Sequence, residues 1–140
     1  MKNTKRIIST LVILAIFIAS LSIVAYAAYD ERVVRAEYSI PTGSTEWNGW
    51  DKNLTHRFNS TAEARLNVSI TNTSSRTITA VLMKSVSLWF DDDIITIKNF
   101  SGSNGDWRSK YFTPDTSYTY YMKITSTSSQ GVNGFYSVDQ

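Results

Sequence analysis

The chain has no cysteine, a single histidine and two prolines among its 140 residues. Without cysteine there is no disulfide framework, no lipid-attachment thiol, no thiol nucleophile and no cysteine zinc site. With His56 alone, no site that needs two imidazoles can be built, the H-E-x-x-H zinc motif included. Excess basic charge is also lacking. Lys2, Lys5 and Arg6 supply three of the 14 Lys and Arg, so beyond Ala27 the 12 acids outnumber the bases by one. A near-neutral domain of this kind is a poor nucleic-acid binder. No stretch after Ala28 keeps a 3.6-residue apolar period for three turns, which argues against helices.

What is present at the N-terminus has the order of a secretory signal. Met1–Arg6 carries three cations and no acid, and Leu11–Ala19 is a continuous apolar run. Ala25-Tyr26-Ala27 then places small side chains at the first and third positions of an A-x-A cleavage site. The expectation is removal of residues 1–27 after Ala27, release from the cell, and a single domain over residues 28–140. The alternative is an uncleaved anchor. Ile7–Tyr29 approaches the roughly 20 residues that a spanning helix needs, although Ser9, Thr10, Ser20 and Ser22 interrupt it. In that case the segment would be the domain's sole contact with the membrane.

The remainder alternates with period two. Val34, Ala36, Tyr38 and Ile40 form one apolar row, and Ala64, Leu66, Val68 and Ile70 a second. Tyr118, Tyr120, Met122 and Ile124 make a third row, and Val132, Gly134, Tyr136 and Val138 a fourth. Such rows face a core while their polar neighbours face water. Weaker strands are expected at 78–90 (with a bend or break at Lys84-Ser85), 94–100 and 107–112. Turn signals separate the runs, among them Pro41–Ser44, Asn72–Arg76, Asp91–Asp93 and Thr127–Gly131. Seven to nine short strands, each needing a second layer to cover its apolar face, predict an all-β antiparallel β-sandwich, jelly-roll-like or Ig-like.

The segment Ile70–Ala80 echoes Ile124–Gly134 position by position: a strand end, a Thr-Ser-Ser turn and a restart with a small residue. The echo predicts two equivalent β-hairpins and an approximate internal symmetry. The last strand, Val132–Val138, has no charge. Placed at a sheet edge, it would favour self-association.

Candidate binding residues are aromatic. Trp47-Asn48-Gly49-Trp50-Asp51 combines rings that stack on sugar faces with polar groups that bond hydroxyls. The spacing sets the two tryptophans on opposite sides of an extended strand, so one is expected in the core and the other over an edge. Trp107 and Trp89 are expected in the core or at its end, with Trp107 kept as a binding candidate, and Tyr121 is expected to face outward. Asp91, Asp92 and Asp93 offer hard oxygens for calcium but lack D-x-D-x-D-G spacing, so a solvated turn is expected. His56 has no G-x-S-x-G partner motif, and no carboxylate pair stands out for glycoside hydrolysis.

The signal segment and composition resemble those of small exported β-sandwich proteins of Bacillus-like bacteria. The expected function is non-enzymatic extracellular binding, with cell-wall polysaccharide or protein as partner, no nucleic acid and no cofactor. The alternative is a secreted bacteriocin-like antagonist or an immunity factor.

Overall fold

The computed structural model describes residues 32–87 and 90–140, so the expected leader, the cleavage expected after Ala27 and Trp89 lie outside the described residues. Among the described residues nine strands form in chain order: β1 (Arg32–Ile40), β2 (Glu46–Asn48), β3 (Thr55–His56), β4 (Ala64–Ile70), β5 (Arg76–Ser85), β6 (Asp91–Gly102), β7 (Trp107–Phe112), β8 (Thr119–Ser126) and β9 (Val132–Asp139). One sheet has the order β1-β9-β4-β7; the other runs β2-β8-β5-β6, with β3 also on β8. All pairs are antiparallel. Taking β2 and β3 as one interrupted strand along β8, this is the two-sheet connectivity of a jelly roll. Only the β5–β6 connection joins hydrogen-bonded neighbours within one sheet as a hairpin, because the other long strands alternate between the layers.

The alternating rows form the core. Tyr38, Ile40, Ala64, Leu66, Val68 and Ile70 from one sheet meet Ile78, Ala80, Leu82, Tyr120, Met122 and Ile124 from the other. Fully burying each of the Val, Leu, Ile and Met side chains among them stabilises by roughly 1.5–3 kcal/mol. Around the core, loops are tied by local polar groups. The Tyr120 hydroxyl donates to the carbonyl of Asp115 and accepts from its N–H, and the Asp115 carboxylate accepts from the Ser117 N–H. These bonds fix the turn before β8.

The echoed segments are not hairpins. Each carries the chain from one sheet to the other, β4 to β5 and β8 to β9. The symmetry nevertheless appears in the register. Ile70 opposes Gly134 in one sheet as Ala80 opposes Ile124 in the other, and Val68–Tyr136 matches Leu82–Met122. The two arches pack side by side through Asn72, whose side chain donates to the Gly131 carbonyl and accepts from the Asn133 N–H. A hydroxyl-rich turn at the end of a strand is compatible with either route. Burial of both flanking rows on a shared core requires the crossing.

Two further readings change and one is met. Uncharged β9 lies between β1 and β4 rather than at an edge, so its backbone is already paired. The Asp91–Asp93 triplet begins β6 instead of forming a turn, pairing with Ser85, Lys84 and Met83. The long apolar run ends as β5 at Ser85, the break expected at Lys84-Ser85, and turns where the N–H groups of Val86 and Ser87 reach the Phe90 carbonyl.

Candidate binding face

On the outer side of the four-stranded sheet, period two aligns the polar partners of the core rows across all four strands. Glu37, Phe135, Ser69 and Trp107 lie in one register row. Arg35, Ser137, Asn67 and Ser109 form the next, and Asp139, Arg65 and Tyr111 the third. Trp107 and Tyr111 are 58% and 54% exposed, which leaves aromatic surface available to a ligand. A shallow groove of about 370 Å³ runs among Trp107, Phe135, Arg35, Asn67, Arg65 and Asp139.

The polar floor is held in place. Asn67 Nδ2 donates to Asp139 Oδ2 at 2.7 Å and to Ser137 Oγ at 3.2 Å, and Arg65 Nη2 donates to the same carboxylate oxygen at 3.1 Å. The bond to Asp139 raises the already high pKa of Arg65. The Arg35 guanidinium sits 5.3 Å from the centre of the Phe135 ring, in cation–π range. Its planar set of donors is thereby oriented over the groove. At the other side, Trp107 begins β7 directly after a tight turn. There the Asp106 carboxylate accepts from the Ser103 N–H, the Asp106 N–H reaches the Ser103 carbonyl, and Gly105 has φ 96°. A left-handed residue at that point favours glycine.

The sequence candidates separate. Trp47 is 7% exposed and plugs the core beside Tyr38 and Tyr136, with ring centres 6.3 and 5.8 Å away. Trp50 is 48% exposed on a one-turn 3-10 helix, Trp50–Lys52, and meets Tyr121 edge-on at 5.4 Å. The helix is set by the Asn48 side chain accepting the Trp50 N–H and by the Gly49 N–H bonding Met122. Tyr121 points to the outer side of its sheet, as its parity requires, but it is not solvent-facing. Trp50 covers it, and its hydroxyl donates to Asp91 at 2.6 Å. Burial and that carboxylate both push its phenol pKa well up.

Trp107 is the opposite correction, an expected core residue that stands in solvent because its register puts it in the outward row with Ser69 and Phe135. Trp47, Trp50 and Tyr121 therefore belong to the core and the five-stranded sheet, and Trp107 alone of the four lies on the groove. In the acidic triplet, Asp91 serves Tyr121 and Asp92 lies 3.6 Å from Lys84. Among the described residues no three acidic or histidine side chains converge to hold a metal. His56 packs at 5.4 Å from Phe58 and 6.3 Å from Tyr120, with both ring nitrogens buried and unpaired. Burial lowers its pKa to about 4.

Arg35, Arg65, Asn67, Tyr111, Phe135 and Asp139 were not singled out from the sequence. Their signal was present as the polar half of each alternation. What was missing was the adjacency of β4 and β9, which brings together Asn67 and Asp139 from positions 72 residues apart.

No family model and no curated protein matches this chain. Solved structures resemble this chain at low identity. The Yersinia pseudotuberculosis-derived mitogen is 13% identical with a TM-score of 0.45, over 76% of this chain and 83% of its own. Tripeptidyl peptidase 2 is 11% identical with a TM-score of 0.52, over 74% of this chain. The Clostridium thermocellum xylanase 10B CBM22-1–GH10 modules, complexed with xylohexaose, are 10% identical with a TM-score of 0.45, over 79% of this chain. This chain spans only 8% of the peptidase and 29% of the xylanase modules.

Proposed function

We propose that this is an exported, non-catalytic, glycan-binding domain whose ligand lies on the outer face of the four-stranded sheet. The observation that carries the reading is exposed Trp107 standing beside the fixed Asn67–Asp139–Arg65 network in one groove. Pyranose rings present C–H faces that stack on an indole and rims of hydroxyls that need both donors and acceptors. A groove with a few placed polar groups among aromatic rings meets both needs. The cationic start, apolar run and A-x-A site of residues 1–27 support export to where polysaccharides are found.

The test is retention of the purified protein on insoluble cellulose, xylan, chitin and cell wall. Trp107→Ala should lower retention on the preferred polymer by about tenfold, the loss of roughly 1.4 kcal/mol, while Trp50→Ala should leave it unchanged. Absence of retention on every polymer, or equal retention of Trp107→Ala, would overturn the reading. N-terminal sequencing of protein recovered from the culture medium should begin at Ala28; a chain found only with the membrane would contradict release.

A further inference from the structure

The central groove is not isolated. It shares Trp107 with a depression of about 500 Å³ at the turn before β7, formed by Gly105, Asp106, Arg108 and Ser109. It shares Phe135 with a larger depression of about 700 Å³, which wraps the free edge of β1 and reaches Lys52 and Leu54 in the segment between β2 and β3. Phe135 and Trp107 occupy the same register row, with Ser69 between them. The three depressions therefore adjoin through two residues of a single register row, a line that crosses the strands. From β1 to β7 that line crosses three strand spacings, ~14 Å, and the end depressions carry it further in both directions.

From this continuity, and resting on the glycan reading above, we infer that the ligand is the interior of a linear polysaccharide laid across the strands, passing Trp107 and Phe135 and leaving over Lys52. The track exceeds the length of a disaccharide, so several ring units engage at once. Recognition of a chain end would need a wall that stops the chain and polar groups that cap the terminal hydroxyls. At one end the track opens onto exposed Asp106 and Arg108, and at the other onto exposed Lys52, so neither end is stopped. Lys52 and Glu37 supply a donor and an acceptor to the distal part of the chain, which short ligands held at the central groove do not reach.

Calorimetric titration with cello- and xylo-oligosaccharides from dimer to hexamer tests this. The hexamer of the preferred series should bind about tenfold more tightly than the trimer, and reduction of its terminal sugar to the alditol should not matter. Lys52→Ala should weaken hexamer binding by about fivefold, one charge-assisted contact, and leave trimer binding unchanged. Equal affinity for trimer and hexamer, or loss of binding on end reduction, would overturn the extended track while leaving the glycan face intact. Failure of every oligosaccharide and polymer to bind would remove both.

Discussion

Tyr38 of β1 occupies the space that Gly134 of β9 leaves open: its ring crosses the glycine and its hydroxyl donates to the Ser69 carbonyl of β4 at 2.8 Å. A Cβ on Gly134 would overlap the Tyr38 ring and the Ser69 backbone together, and neither can retreat from the core. Gly134→Ala is expected to destabilise the domain by about 2–4 kcal/mol through overpacking. Tyr38→Phe keeps the ring and forfeits only the hydrogen bond, about 1 kcal/mol. Urea unfolding of both variants checks the order. A Gly134→Ala protein as stable as the parent would mean that the tyrosine is not held where it is.

His56 makes stability depend on pH. Its pKa is about 4 in the fold because burial disfavours the cation, against about 6.5 in an unfolded chain. The unfolded state thus takes up a proton that the folded state refuses. The contribution is fully present above pH 6.5 and declines as pH falls toward 4, by roughly 3 kcal/mol in all. His56→Leu should flatten this part of the stability–pH curve, and should not weaken the protein at pH 7, since two unpaired buried nitrogens disappear. An unchanged slope in the variant would count against the assignment.

Asp139 links the stability of the sheet to the proposed face. It is buried, and it holds both Arg65 and Asn67. Asp139→Ala should lower stability by about 1–3 kcal/mol, because two donors lose their acceptor, and should weaken glycan retention at the same time. Retention at the parental level in a folded Asp139→Ala protein would show that the network does not orient the groove.

Trp107 should behave differently. With more than half its surface in water, Trp107→Ala is expected to change unfolding free energy by no more than about 0.5 kcal/mol. Trp47→Ala, which empties part of the core, should cost about 3–5 kcal/mol. Thermal unfolding separates the two, and comparable losses would contradict the burial on which the site is built.

Much of the fold was legible in the chain because alternation is a local property. The rows ending at Ile40, Ile70, Ile124 and Val138 could be assigned to the interior from spacing alone, and they are buried apart from Val34, Ala36 and Tyr118 at the rim, which are partly so. Trp107 and Tyr121 show where local reading stops. Both occur in strand-like runs rich in aromatic and polar residues, yet one is bare and the other covered. The difference lies in neighbours contributed from elsewhere: Trp107 stands in the outward row with Ser69 and Phe135, whereas Trp50 and Asp91 close over Tyr121. The echo around Thr-Ser-Ser was likewise visible, but its meaning as paired crossings depended on which strands met.

The amino-acid order by itself determined that the described residues from Arg32 onward form strands, which face of each is apolar, and that two layers are required, because a pleat of period two leaves no other way to bury those rows. Only the tertiary structure decided that β4 and β9 lie side by side. Sheet order is a matter of long-range pairing, and it alone gathers Arg65, Asn67, Asp139 and Trp107 into one groove.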